Sequence, residues 1–154
     1  MRVSLALLTL SGLLAVPASA GEQVLEFKLV TTPVELKAFE AASIDGRSLT
    51  AGKYFGVAYF KDGRIAVNNY ISSSDVLNGS GPILGYVTYT FEDGSSITAS
   101  FTGEVKVGVR SGTYTIVSGT GAYANASGTG TFDGIPSSIK GAFLFNGKLV
   151  VKTP

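Results

Sequence analysis

The chain has 154 residues, 45% of them hydrophobic and only 15% charged, with a formal net charge of +1. A balance this close to neutral, with no basic run, argues against a nucleic-acid surface or an anionic-membrane surface as partner. Cysteine and histidine are both absent, which removes disulfides, most metal sites, thiol and imidazole nucleophile–base pairs, and the usual proton shuttle near neutrality.

The first stretch reads as a cleaved secretory signal. Met1 and Arg2 open it, an uncharged apolar run follows over 3–16, and Pro17-Ala18-Ser19-Ala20 supplies the small-residue end. The run is shorter than the roughly 20 residues of a membrane-spanning helix. The expected organisation is therefore a signal peptide over 1–20 and a single β-barrel domain over 21–154, secreted or periplasmic, with no membrane contact after cleavage.

Downstream, β-branched and aromatic runs alternate with glycine-containing breaks. A first strand is expected over 23–31, with Leu25, Phe27 and Leu29 on one face. Residues 34–42 carry Leu36, Phe39 and Glu40 at helix-like spacing and read as a short helix. Strands over 53–60 and 64–72 meet at Asp62-Gly63, and strands over 83–92 and 97–107 meet around Asp93-Gly94. Further strands are expected over 112–118, 128–133, 140–145 and 148–152, the last two joined at Asn146-Gly147. Asp-Gly and Asn-Gly supply the positive φ that tight hairpins require.

The central hairpin permits a register argument. A three-residue turn ending at Ser95 sets Phe91 against Ile97, Tyr89 against Ala99 and Val87 against Phe101. A two-residue turn would oppose apolar to polar side chains, because a one-residue slip reverses the faces. Tyr86, Thr88, Thr90, Thr98, Ser100 and Thr102 then form a wet outer face. In the last hairpin both faces are apolar, with Ala142, Leu144, Leu149 and Val151 on one and Phe143, Phe145 and Val150 on the other. A second subunit, or the 33–50 segment of the same chain, would cover the outer one. About eight or nine strands are expected in all, the number that closes a small barrel.

The inner wall is expected to carry Val87, Tyr89, Phe91, Ile97, Ala99 and Phe101, with Tyr114 and Ile116, and with Ile65, Val67, Asn69 and Ile71. Asn69 is the one amide in its series, and Tyr59, Tyr89 and Tyr114 add hydroxyls. Tyr59, Asn69, Tyr89, Phe101 and Tyr114 are thus the candidate ligand-binding residues of the lumen. An apolar cavity with a few polar groups suits a small molecule, and the same set fits a filled barrel equally well. Glu104 and Arg110, flanking Val107-Gly108, read as an acid–cation pair at a barrel mouth.

Residues 112–134 form the most distinctive stretch, GTYTIVSGTGAYANASGTGTFDG. Neither G-x-G-x-x-G nor a Gly-Lys-Ser/Thr ending is present, which separates it from phosphate-cradling loops. The turn Ser118-Gly119-Thr120-Gly121, the aromatic Tyr123 two residues on, and the step Gly128-Thr129-Gly130-Thr131-Phe132 resemble the corresponding segment of allene oxide cyclase-like and dirigent-like barrel proteins. The resemblance implies an all-β, closed antiparallel barrel of about eight strands, often a homotrimer, with an apolar lumen and no cofactor. It also implies either ring closure of a fatty-acid epoxide or stereoselective coupling of phenolic radicals, and it assigns no catalytic residue. Three functions follow as expectations: a barrel binding a small apolar or phenolic molecule in its lumen, a cofactor-free cyclase, isomerase or coupling guide, or a filled barrel used for assembly.

Overall fold

Eight antiparallel strands follow one another and close into a single barrel in the computed structural model, which describes residues 21–154. The signal sequence expected over 1–20 lies outside the described residues. The strands are β1 (Gly21–Glu40), β2 (Arg47–Phe60), β3 (Ile65–Leu77), β4 (Ser80–Phe91), β5 (Ser96–Lys106), β6 (Val109–Thr120), β7 (Ser127–Ile135) and β8 (Phe143–Thr153). Each pairs with its neighbour in sequence, and β8 returns to β1 through Leu25↔Leu149 and Leu29↔Phe145. Closure of the ring leaves no edge strand and needs no disulfide, although the far end of β1 beyond Pro33 pairs with β2 alone.

Period-two alternation places the core. On β4, Ile83, Val87, Tyr89 and Phe91 are buried while Leu84 and Tyr86 face out. Leu25, Ile97, Leu149 and Val151 fill the middle of the barrel. Aromatic rings run along its axis. Phe60 lies 5.1 Å from Phe91, and Phe91 lies 5.1 Å from Tyr123. Higher up, Tyr114 lies 5.0 Å from Phe132, which lies 5.6 Å from Phe101. Tyr123, on the 3-10 turn Gly121–Tyr123, closes one end, where its hydroxyl accepts a hydrogen bond from Arg64. Asp62 holds Arg64 in place through Nε at 3.0 Å.

The structure departs from the sequence reading in four places. The β4–β5 faces are as expected, but the register differs by two residues: Tyr89 pairs with Ile97 and Val87 with Ala99. The turn residues are Glu92, Asp93 and Gly94, closed by Gly94 N–H to Phe91 O (3.0 Å) and by Ser95 N–H to Asp93 Oδ1 (2.9 Å). Gly94 takes φ 81°, the usual geometry of a three-residue hairpin.

Residues 34–40 are strand, not helix. They prolong β1 beyond a register shift between Pro33 and Glu35 and pair with β2 from Glu35↔Lys53 to Glu40↔Ser48.

Asn146-Gly147 is not a turn. Both residues lie inside the uninterrupted β8, with Phe145, Leu149 and Val151 inward and Leu144 and Val150 outward.

The fourth departure is the phase of β3. Ala66 and Asn68 are buried and Tyr70 packs against the core, while Ile65, Val67, Asn69 and Ile71 face out. Together with Phe55, Tyr59, Leu84 and Tyr86 they give the β2–β3–β4 wall an apolar outer surface.

Candidate functional site

The end of the barrel opposite Tyr123 is open. Inward positions on successive strands converge there: Tyr54 on β2, Tyr70 and Ser72 on β3, Ile83 on β4, Phe101 on β5, Arg110 and Tyr114 on β6, and Phe145 on β8. Tyr54 and Tyr70 face each other across the β2–β3 pair and stack face to face at 4.2 Å with planes 6° apart, which fixes the Tyr70 ring. The funnel has about 380 Å³ of unfilled space counted out to solvent, of which only about 30 Å³ is wide enough to take a water. The interior is therefore packed, and a ring-sized ligand has to seat at the rim.

A ladder of polar groups descends from the rim. The Tyr70 hydroxyl is buried without a well-formed hydrogen bond. Burial, reinforced by Tyr54, pushes its pKa well above the usual phenol range, and Arg110 and Thr31 pull it only partly back. Thr31 itself donates to the Phe55 carbonyl at 2.9 Å. Tyr89 donates to Tyr114 at 3.1 Å in the barrel centre. Burial raises both of those phenols too, so they remain protonated across the neutral range. Asn68, paired across the sheet with Tyr89, has 0% exposure, and neither its amide nitrogen nor its amide oxygen has a partner. Native proteins rarely leave such a group idle, since each lost hydrogen bond costs about 1–3 kcal/mol.

Of the five lumen candidates, the structure brings Tyr89, Phe101 and Tyr114 together inside the barrel. Tyr59 and Asn69 are corrected to the outer wall, Tyr59 being 53% exposed, and Ala58, Phe60, Asn68 and Tyr70 take the inward places beside them. The β3 residues were phased by their larger apolar set, and that set covers the outside. The acid–cation pair expected between Glu104 and Arg110 does not form. Glu104 faces out to Lys106 at 2.8 Å, while the Arg110 guanidinium lies 4.1 Å from the centre of the Phe143 ring. Asn68, Tyr70 and Tyr54 were missed, whereas Arg110 does stand at the barrel mouth, facing inward without Glu104. Small inward Gly56 and Ala58 on β2, lying between inward Tyr54 and Phe60, carried the signal that could have set the β3 phase by pairing.

The arrangement can receive hydrogen bonds, donate them and hold a flat apolar body. No group of three or more carboxylates gathers among the described residues, and the polar groups lining the funnel are the Tyr70 and Tyr114 phenols, the Ser72 hydroxyl and the Arg110 guanidinium.

No protein-family model matches the chain, and no curated protein matches it in sequence. Solved structures do match in fold. The pterocarpan synthase dirigent protein GePTS1 is similar over 96% of this chain and 98% of its own, at a TM-score of 0.59 and 15% identity. A pyocyanin demethylase is similar over 82% of this chain and 99% of its own, at a TM-score of 0.54 and 15% identity. A protein of the DUF3224 family from Shewanella oneidensis covers 88% of this chain and 99% of its own, at a TM-score of 0.52 and 16% identity. The chain folds as a dirigent-like eight-stranded β-barrel.

Proposed function

We propose that this barrel binds a small, flat, apolar or phenolic molecule at its open end. The observation that carries the reading is Tyr70, which lines the aromatic funnel with its hydroxyl buried and lacking a well-formed hydrogen bond; the Asn68 amide, enclosed two residues before it on the same inward face of β3, is a second unpartnered polar group. A barrel built only for stability would gain by replacing such an amide with an apolar side chain of similar shape. Two of the similar structures are named for acting on small molecules, a pterocarpan and pyocyanin, which supports the same reading.

The test uses cinnamyl alcohol and phenol as probes, titrated into the purified protein and followed by calorimetry and tyrosine fluorescence. Binding by the wild type is expected. Asn68→Leu is expected to raise stability by about 1–3 kcal/mol in urea unfolding and to weaken binding. A wild type that binds neither probe overturns the proposal. So does an Asn68→Leu protein that is less stable than the wild type and binds equally well, because the amide then has a structural role.

A further inference from the structure

Arg110 is the only charged residue among those lining the funnel. It enters β6 at an inward position, across from Val105, at the rim. Phe143 covers its guanidinium on one side at 4.1 Å. No carboxylate among the described residues lies within ion-pair distance of it. Of the acids near this end, Glu104 pairs with Lys106, Asp75 with Arg47 and Glu35 with Lys53, while Asp133, across from Ser111 on β7, faces out. A half-buried guanidinium against an apolar wall with no counter-ion is costly, and its planar fork of N–H donors matches a carboxylate. The second observation is independent of the first. Tyr70 lines the same funnel, and its hydroxyl is buried without a well-formed hydrogen bond.

We infer that Arg110 and the Tyr70 hydroxyl together receive a carboxylate, so that the ligand class of the open end is a planar aryl carboxylic acid. This rests on the binding role proposed above and narrows it. The acid sits at the rim, where water still reaches it. The ring seats beside it in the mouth of the funnel, over the apolar lining that includes Ile83 and Phe101, because the interior below is packed. The aromatic lining, Tyr70, Phe101 and Phe145 among it, suits a planar body better than a branched aliphatic one. Charge-assisted hydrogen bonds to a fork are stronger than neutral ones.

Three probes of one shape test the inference by calorimetry at low salt: cinnamate, cinnamamide and cinnamyl alcohol. For the wild type, cinnamate is expected to bind about tenfold tighter than cinnamamide, the size of one charge-assisted hydrogen bond. In Arg110→Met that ratio is expected to fall to about one, and in Arg110→Lys to lie between, because the point charge survives while the fork is lost. A cooperative thermal melt for each variant confirms that it folds. Equal affinity of the wild type for cinnamate and cinnamamide overturns the carboxylate inference and leaves the binding site standing. An unchanged ratio in folded Arg110→Met overturns it as well. If the wild type binds none of the three, the binding site itself fails, and the inference fails with it.

Discussion

Gly147 shows how one missing side chain shapes the interior. It faces inward halfway along β8, between Phe27 of β1 and Phe132 of β7 in the registers of the two flanking strands. A Cβ built there would stand 2.2 Å from Cε2 and Cζ of Phe27. Phe27 in turn contacts Phe60 and Tyr89, each at 5.1 Å, so it has nowhere to retreat. Gly147→Ala is therefore expected to cost about 1–3 kcal/mol by overpacking, read as a lower urea midpoint with an unchanged slope. Adding Phe27→Leu frees the space, and the double variant is expected to lose less than the two single losses combined. Strict additivity would show that the ring and the glycine do not share that space. The position also marks a limit of sequence reading. Asn-Gly is a turn signal because glycine tolerates positive φ, yet here glycine serves because it lacks a Cβ. Those two uses look alike in the sequence, and only a residue near the other end of the chain tells them apart.

Strands were legible where one face was wet and one dry. β4 and β5 alternate cleanly, and the opposed Thr88 and Thr98 hydroxyls lie 2.9 Å apart on the outer face, where the pattern put them. Legibility failed on β3, whose two faces both carry apolar residues, because a period of two then gives no phase. It also failed on the second half of β1. Leu36 and Phe39, three apart and followed by Glu40, mimic a helix, although Leu36 is 50% and Phe39 64% exposed. Tertiary pairing decides that segment, since β2 offers a complementary edge through Ser48. The same pairing makes a prediction. Residues 25–31 of β1 are held on both sides, by β2 from Phe27 onward and by β8 throughout, whereas 35–40 are held by β2 alone. Amides that depend on a single exposed ladder open more easily than those in a two-sided one. Hydrogen exchange in 35–40 is expected to run at least about tenfold faster than in 25–31, a difference of about 1.4 kcal/mol in opening. Equal protection would mean that the arm is covered by something beyond these pairings.

The pH response of the whole molecule follows from what the barrel buries and what it leaves outside. With no histidine in the chain, no side chain has its ordinary pKa in the neutral window. On the acid side, the hydrogen bond from Arg64 holds Asp62 below its usual range, the hydrogen bond from Arg47 does the same for Asp75, and the Ser95 hydroxyl and amide do so for Asp93. Carboxylates whose folded pKa is depressed stabilise the fold above their unfolded pKa, about 4. That contribution is lost as pH falls through the lower folded values. On the alkaline side the sign reverses in origin but not in effect. Tyr70, Tyr89 and Tyr114 have folded pKa values raised mainly by burial. The unfolded chain releases their protons from about pH 10 while the folded chain keeps them, so stability falls as pH rises through that value. Urea midpoints are expected to form a plateau from about pH 5 to 9, with a decline below about 4 and another above about 10. Tyrosinate absorbance followed alongside circular dichroism decides whether the interior is as closed as its packing implies. If it is closed, the buried phenols ionise only as the sheet signal disappears, because burial is what holds their protons. Full ionisation of all seven tyrosines in a chain that keeps its sheet signal would mean that water reaches Tyr89 and Tyr114. The barrel would then be hollow, with room for a ligand in the lumen as well as at the rim.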